Sequence, residues 1–367
     1  MYSVISSNRG VGKVNKNWRV FEKEMLEKHF GKVLDVDGED GHSVIEQYEK
    51  YKDDIRYIRW YPDPDEMNRE EYEGMLKQRQ QIGDIPFITN SPIGFLSVQN
   101  KEVAFARWKD VGVNCPDFFT YEDKNDFYKQ REKHPIAFPF LVRLNNSVGG
   151  YNTYKVDDES MLDECLTKLD NEKPYSETGQ TRRIQTKKLC VELVNSVDES
   201  RGVNTSFRLH VAGDRIVSGY ARVVDKSDWC AITAGKFSDK HINDFIIYNK
   251  LCETIMTEHE EYICSAVHCL GLNHQGVDVI INQEDNSLSF LEVQPTYAAG
   301  YSDESGIGHW YSPPFYNPKE PNLVKFLTEN MSELKQHIPR YCYNWLDKRN
   351  HFDLVYKSIK EFIDVRS

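Results

Sequence analysis

Two short apolar segments, Val277 to Asn282 and Leu288 to Gln294, flank the polar stretch Gln283-Glu284-Asp285-Asn286-Ser287. Their composition predicts two β-strands joined by a turn. Side-chain alternation puts Glu292 and Gln294 on one face of the second strand. With Asn282 and Leu288 as the partners that flank the turn, Asp278 falls directly opposite Glu292 on that same face. Two carboxylates held so close repel unless a cation or a proton lies between them. Magnesium takes hard oxygen ligands, so Asp278, Glu292 and the amide oxygen of Gln294 form a candidate metal set. The plainer alternative is a polar sheet face beside solvent. Against it, the trio follows a long helical stretch, lies within an otherwise apolar hairpin and precedes the turn Tyr297–Gly300. His268 and His274 are nearby, but magnesium needs neither, and both are read as packing or surface residues.

The whole chain bounds the reading. Its 367 residues leave room for two or three domains with cores of their own. A formal charge of -12, from 58 acidic and 46 basic side chains, argues against general affinity for nucleic acid or anionic membrane. No stretch approaches the roughly 18 apolar residues of a membrane span, and a signal peptide's apolar run is lacking, so a cytoplasmic location is expected. Eight cysteines without a CxxC pair make neither a disulfide framework nor a zinc site; Cys252, Cys264 and Cys269 are read as small apolar packing.

Four segments follow along the chain. Residues 1–96 read as a small α/β unit, with apolar runs at Val33–Val36, Ile55–Trp60 and Ile85–Ile88. Within it, Asn8-Arg9-Gly10-Val11-Gly12-Lys13 ends like a phosphate loop, but Ser7 and Val14 stand where the motif needs glycine and a hydroxyl, which favours a surface turn. In residues 97–188, Asn100 to Gly112 has helical spacing with the apolar pairs Val103, Ala106 and Phe105, Trp108. Thr120, three residues before Asp123, marks a helix start, Ala137 to Arg143 a strand, Tyr154–Val156 its return, and Asp158 a cap for a helix to about Leu169. The polar stretch Glu172 to Thr186 reads as a loop or flap, and its Arg182 and Arg183 could face an acidic substrate or simply solvent. Residues 189–318 begin with the strand Leu189–Val194. A hairpin around Gly213-Asp214 follows, then one long helix from His241 to Leu270 that ends at Gly271, and then the acidic hairpin. Trp310–Tyr316 is an aromatic segment that packs against the C-terminal helices or covers a substrate. Residues 319–367 read as a helical extension that covers the rest.

Taken in order, these segments resemble the ATP-grasp superfamily, and within it the branch of glutamate-adding ligases and bacterial glutathione synthetases. The resemblance spans about residues 101–300 and is strongest at Leu270-Gly-Leu-Asn-His-Gln-Gly-Val-Asp278 and Phe290-Leu-Glu-Val-Gln294. It implies an α/β (α+β) ATP-grasp fold with a small N-terminal α/β domain and a C-terminal helical extension. It makes Lys101 the first phosphate-contacting lysine and Arg143 the counterpart of the nucleotide lysine. The mobile phosphate-covering loop becomes Ser147-Val-Gly149-Gly150, and Leu189–Val194 becomes the hinge that receives adenine, with Glu192 and Val194 beside the base. Asp198, or Glu199, would contact ribose, and Arg208 and Arg222 would stabilise the reacting oxygens as catalytic residues.

This sequence departs from the family pattern at several of those positions. Arg143 replaces lysine, Ser206 replaces aspartate, Gln294 replaces asparagine, and Trp229-Cys-Ala-Ile232 stands where an arginine-x-asparagine segment is expected. The resemblance implies ATP with one or two Mg²⁺ ions, or Mn²⁺ in their place, and an ADP-forming carboxylate–amine ligase working through an acyl phosphate. Its partners would be a small-molecule or peptide carboxylate and an amine acceptor. A phosphotransferase on the same fold, and a nucleotide-binding regulatory or scaffold protein, are the alternatives. Because Asp278 and Glu292 are assigned to metal, D278N with E292Q is expected to reduce Mg²⁺-dependent turnover far more than folding stability, measured by steady-state kinetics beside denaturant titration.

Overall fold

The computed structural model describes residues 2–7, 16–36, 42–60, 73–74, 77, 80–83, 87–89, 94, 100–146, 152–172, 187–229, 241–294, 301–302, 308–309, 336, 340 and 348–366. The Asn8–Lys13 segment, Ser147 to Gly150, Arg182, Arg183 and Trp310–Tyr316 lie outside the described residues.

The first sheet is parallel, in the order β2-β1-β3-β4, and is built from β1 (Val4–Ser7), β2 (Val33–Val36), β3 (Tyr57–Trp60) and β4 (Phe87–Thr89). Parallel neighbours need crossovers. The crossover from β1 to β2 carries α1 (Lys16–Phe30), and that from β2 to β3 carries α2 (His42–Tyr51). Three of the strands coincide with the apolar runs read from the sequence. β1 was not among them, because only Val4 and Ile5 mark it as apolar, and both are fully buried.

The second sheet has the order β5-β8-β6-β7, from β5 (Phe118–Tyr121), β6 (Phe140–Leu144), β7 (Thr153–Val156) and β8 (Lys188–Glu192), all antiparallel. It packs on α4 (Lys124–Lys133) and α5 (Glu159–Asp170) around Phe127, Phe140, Leu162 and Leu166. Preceding these, α3 (Lys101–Asp110) buries Ala104, Phe105 and Trp108, whereas Val103 is half-buried and Ala106 exposed. Of the two expected apolar pairs, Phe105–Trp108 is therefore the one in the core. The start of α4 also differs from expectation. Thr120 lies inside β5, and Asp123 itself is the cap, its side chain accepting the Asp126 N–H at 2.9 Å.

The third sheet carries the acidic hairpin. Its order is β11-β10-β12-β13, with β9 (Val197–Asp198) added beside β10. Its long strands are β10 (Val203–Ala212), β11 (Arg215–Asp225), β12 (His274–Ile281) and β13 (Leu288–Gln294). One face packs on α3, α6 (Ile242–Glu258) and α7 (Glu260–His268), with Trp108, Phe207, Leu209, Val277, Val279 and Phe290 in one core. The single helix expected over His241 to Leu270 is broken at His259. Just past the break Glu260 stands in the first turn of α7, where the helix dipole favours an acid, and its carboxylate accepts the Ile216 N–H at 2.9 Å and joins Arg340. A two-stranded pair, β14 (Tyr301–Ser302) and β15 (Gly308–His309), stands apart.

Helix α8 (Lys348–Arg366) ties the first sheet to the third. Phe352, Val355, Tyr356 and Ile359 share one core with Val4 and Tyr57 of the first sheet and with Ala212 and Val217 of the third. Polar contacts fix the register. Arg59 Nη2 lies 2.6 Å from Glu22 Oε1, both nearly inaccessible, and the Tyr356 hydroxyl accepts from Arg59 Nε at 3.1 Å while donating to Glu22. At the other end the Ser358 hydroxyl donates to the Ala212 carbonyl at 2.6 Å. Within the described residues no helix is long and apolar enough to cross a membrane.

The β10–β11 turn is seated against this helix. Gly213 has φ +57°, and a Cβ there would stand 2.7 Å from the Ser358 carbonyl oxygen and 2.8 Å from Phe362 Cβ. G213A is expected to lower stability by about 2 kcal/mol, read as a reduced denaturant midpoint with an unchanged slope.

Candidate functional site

Asp278 sits at the middle of β12 with no solvent exposure, and it does face Glu292 as the sequence predicts. The register that brings them together differs from the one expected. Leu288 pairs with Ile281 rather than Asn282, Ser289 with Ile280 and Phe290 with Val279. A shift between Asp278 and Val279 then omits Leu291 from the pairing and restores Glu292 to a place opposite Asp278. The extra residue is a β-bulge, which turns side chains that strict alternation would keep apart. Phe290 enters the apolar core, whereas both Leu291 and Glu292 line the cleft on the opposite face.

A row of charge crosses the sheet at this level. Arg208 of β10 is opposite Tyr220 on one side and Asp278 on the other. Its guanidinium meets the carboxylate as a fork, Nε to Oδ1 at 2.7 Å and Nη2 to Oδ2 at 2.6 Å. Arg222 adds a third bond, Nη1 to Oδ1 at 3.2 Å. Burial alone would push the Asp278 pKa up, but the charges and hydrogen bonds of Arg208 and Arg222 outweigh it and hold the group below the usual carboxylate range. Burial opposes the charge on Arg208 as well, and Asp278 more than offsets it, so that pKa is raised. At the start of α3, Lys101 is 3% exposed and places Nζ 3.1 Å from Glu292 Oε1. Three cations and two carboxylates thus share one buried region, with a net single positive charge.

The next row extends the polar face. His210 pairs with the Ser218 hydroxyl at 2.7 Å. Burial, with the nearby Arg208 and Arg222 guanidiniums, holds its pKa well below that of free histidine, so the ring is neutral. In the row before, Ser206 is opposite Arg222, and its buried hydroxyl meets no hydrogen-bond partner among the described residues.

Between the second and third sheets lies a cleft enclosing about 760 Å³ of empty space, its open mouth included. Phe105, Leu141, Val191, Ile280 and Leu291 make its walls apolar, and Arg143, Asn204, Ser206, Trp229 and Glu292 give it polar ground. Val194 lines it too, beyond the end of β8, where the chain from 193 to 196 runs outside any strand. Glu192 borders the cleft, but its carboxylate accepts the Asp117 N–H at 2.9 Å and so fastens β8 to the chain before β5.

Lys101, Arg143, Glu192, Val194, Arg208, Arg222, Asp278 and Glu292 are therefore brought to one cleft or its adjoining charged row. Ser147, Gly149 and Gly150 lie outside the described residues, and Gln294 is described only by its strand position opposite Gly276. Asp198 stands away from the cleft. Its carboxylate accepts from the Ser200 hydroxyl at 2.6 Å and the Tyr248 hydroxyl at 2.7 Å, which lower its pKa. It borders a separate cavity beside α6, enclosing about 1100 Å³ of empty space with its open mouth included, with Tyr248, His259 and Tyr262, instead of the cleft. Glu199 pairs at the surface with Lys226. The sequence reading also passed over Phe105, Leu141, Asn204, Ser206, Trp229, Ile280 and Leu291 as cleft residues. Alternation from Arg208 and Asp278 points to Ser206 and Ile280, whereas no local signal marks Leu291.

Within the described residues no cluster of three or more His, Cys, Asp or Glu side chains is spaced to hold a metal. Two facing carboxylates still suit magnesium, which commonly takes one or two carboxylates and completes its shell with water and phosphate oxygens. In this structure Asp278 is held by Arg208 and Arg222 and Glu292 by Lys101, so a magnesium ion at these carboxylates would have to displace some of those contacts.

No family model matches the chain, and no curated protein matches it. Among solved structures, the ATP-grasp ligase PsnB complexed with minimal precursor is similar at 14% identity and a TM-score of 0.46, covering 81% of this chain and 92% of that one. An N5-carboxyaminoimidazole ribonucleotide synthetase from Thermotoga maritima gives 13% identity and a TM-score of 0.46, over 81% of this chain and 69% of that one. A RimK domain ATP-grasp protein from Sphaerobacter thermophilus gives 10% and 0.47, over 97% of this chain and 99% of that one.

The Asp278 geometry changes what its replacement should do. D278N would leave two buried guanidiniums without their anion, so it is expected to cost about 3 kcal/mol of stability at pH 7, in addition to any loss of turnover. The lowered pKa gives the sign of the pH dependence. The Asp278 contribution is complete above its unfolded value, near about 4, and is lost as pH falls through the folded value. Denaturant midpoints of wild type and D278N should therefore converge in acid.

Proposed function

We propose that the chain is an ATP-dependent, ADP-forming carboxylate–amine ligase of ATP-grasp type. The observation that carries this reading is the row Arg208–Asp278–Glu292–Lys101 at the edge of an apolar cleft between two antiparallel sheets. The apolar walls suit a purine ring, with backbone groups near Val194 reading its edge. Lys101 and Arg143 suit the phosphates as a buried cation and a guanidinium fork. Asp278 and Glu292 would hold magnesium, which when bound draws charge from the phosphate oxygens and eases the approach of an anionic nucleophile.

The chemistry follows from those places. A substrate carboxylate oxygen attacks the γ-phosphorus, the bond to the bridging oxygen breaks, and ADP leaves. The amine nitrogen then attacks the acyl carbon, the C–O bond to phosphate breaks, and the nitrogen loses a proton. Arg208 and Arg222 stand closest to that region. The Arg208 fork and the single Arg222 bond to Asp278 hold them in place, so that their remaining N–H groups would meet the charge that develops on the reacting oxygens. The glutamate-adding and glutathione-synthetase branch belongs to the same proposal, as do the phosphate-covering role of Ser147, Gly149 and Gly150 and the ligand role of Gln294. So does the division at residues 96, 188 and 318. Ser196, Asn204 and Ser206, in place of Asp198, are the polar side chains on the cleft that would meet a ribose.

Incubation with ATP, Mg²⁺ and mixed carboxylates and amines is expected to yield ADP, phosphate and a new amide mass. A phosphorylated product that persists with every amine would instead support a phosphotransferase. K101A is expected to weaken MgATP binding by about 10- to 100-fold, as loss of a charge-assisted contact predicts. Equal nucleotide affinity and single-turnover rates in K101A would reject the role of Lys101.

A further inference from the structure

Helix α3 carries Lys101 as its first residue, and that first turn is capped from elsewhere in the chain. The opening N–H groups of a helix have no partner within it. Asn100, the residue in the cap position, makes no side-chain hydrogen bond to the turn. Its carbonyl accepts the Val103 N–H at 2.9 Å, which leaves the N–H groups of Lys101 and Glu102 to be met. Asn145 meets both. Its backbone carbonyl accepts the Lys101 N–H at 3.5 Å, and its side-chain Oδ1 accepts the Glu102 N–H at 3.0 Å. Asn145 belongs to the second sheet: it directly follows β6, is fully buried, and donates its own N–H to the Lys187 carbonyl at 3.3 Å, beside the start of β8. Arg143, two residues back on β6, lines the cleft. The rest of α3 is held by the third sheet, in whose core Ala104, Phe105 and Trp108 are buried. One amide side chain therefore joins the two walls of the cleft at the end where Lys101 and Arg143 stand.

We infer, on the reading of the cleft as a nucleotide site, that Asn145 is a positioning residue that sets Lys101 against the nucleotide phosphates and fixes its spacing from Arg143. Its action passes through the start of α3. Without the Asn145 side chain the Glu102 N–H loses its acceptor and the first turn is free to fray. Lys101 then has to be ordered again as the phosphates bind, and affinity falls by the cost of that ordering. The neutral amide also suits the place. An aspartate would cap the turn at least as well, because its charge favours the helix dipole. It would, however, draw Lys101 to itself and repel the phosphates. Asparagine accepts the N–H without adding that charge.

MgADP binding is measured by calorimetric titration on wild type, N145A, K101A and the double variant, each checked for folding by circular dichroism. N145A is expected to bind MgADP about fivefold more weakly than wild type, as loss of a helix cap predicts. In the K101A background the Asn145→Ala change should cost less than about twofold, because its effect acts through Lys101. Should N145A not fold, N145S takes its place, since its hydroxyl is one bond short of the amide oxygen. Equal MgADP affinity in N145A and wild type overturns the positioning role. A loss that persists undiminished in the K101A background also overturns it, since that reflects a general loosening of the cleft. Wild type gives an arm independent of the variants' folding: hydrogen exchange of the Glu102 amide should be slowed by about 100-fold or more relative to an unfolded chain. An unprotected Glu102 amide overturns the cap and the role built on it. Absence of MgADP binding to folded wild type, with Glu102 protected, sinks the nucleotide reading itself.

Discussion

A carboxylate with no exposure to solvent can stay ionised only if the fold surrounds it with positive charge. Asp278 is such a group, and the fork from Arg208 with the added bond from Arg222 supplies that charge. The requirement reaches well beyond the three side chains. Arg208, Arg222 and Asp278 come from three strands, so their meeting fixes the register of β10 against both β11 and β12. A slip of one residue in either ladder would turn a guanidinium toward the α6–α7 core and leave the carboxylate unpaired. The polar face and the apolar face of the third sheet therefore specify each other.

The bulge at Leu291 resolves a conflict in β13. Phe290 belongs in the core, near Trp108 and Tyr262, and Glu292 belongs beside Asp278, on the opposite face. Two residues apart on a regular strand share a face, so regular alternation cannot satisfy both. One additional residue lets Phe290 point inward and Glu292 outward, and it places Leu291 on the cleft wall as well. Packing and site chemistry are thus reconciled at one backbone irregularity. The hydrogen bond from the Phe290 N–H to the Asn114 carbonyl, at 2.9 Å, anchors the edge strand at that point.

Helix α8 does for the wider architecture what the Asp278 cluster does for one sheet. Tyr356 joins the buried Arg59–Glu22 pair on one side, and Ser358 joins the end of β10 on the other. The parallel first sheet and the antiparallel third sheet consequently share an apolar core across the helix. His274 and His351, kept neutral by burial, lie within the electrostatic reach of this region and of the charged row. Neutral imidazoles there avoid adding positive charge to a neighbourhood that already holds Arg59, Arg208 and Arg222.

Periodicity and residue chemistry made much of this protein legible without coordinates: the strands around Gly213-Asp214, the facing of Asp278 and Glu292, the cap at Asp158, and the burial of Phe105 and Trp108. Each rests on local pattern, the period of two in a strand or the hydrogen-bonding preference of an acid at a helix start. What that pattern could not contain is the outcome of competition between distant groups. The one-residue difference in turn register and the bulge that compensates for it arise because Phe290 and Glu292 answer to different surroundings. Asp198 is diverted from the cleft by Ser200 and Tyr248, and Val103 and Ala106 stand outside the core that Phe105 enters. The site was legible as a set of residue types in order; the partner each charge holds was decided in three dimensions. Lys101 with Glu292, and two arginines with Asp278, pair across elements far apart in the chain, because burial leaves each charge no water to turn to.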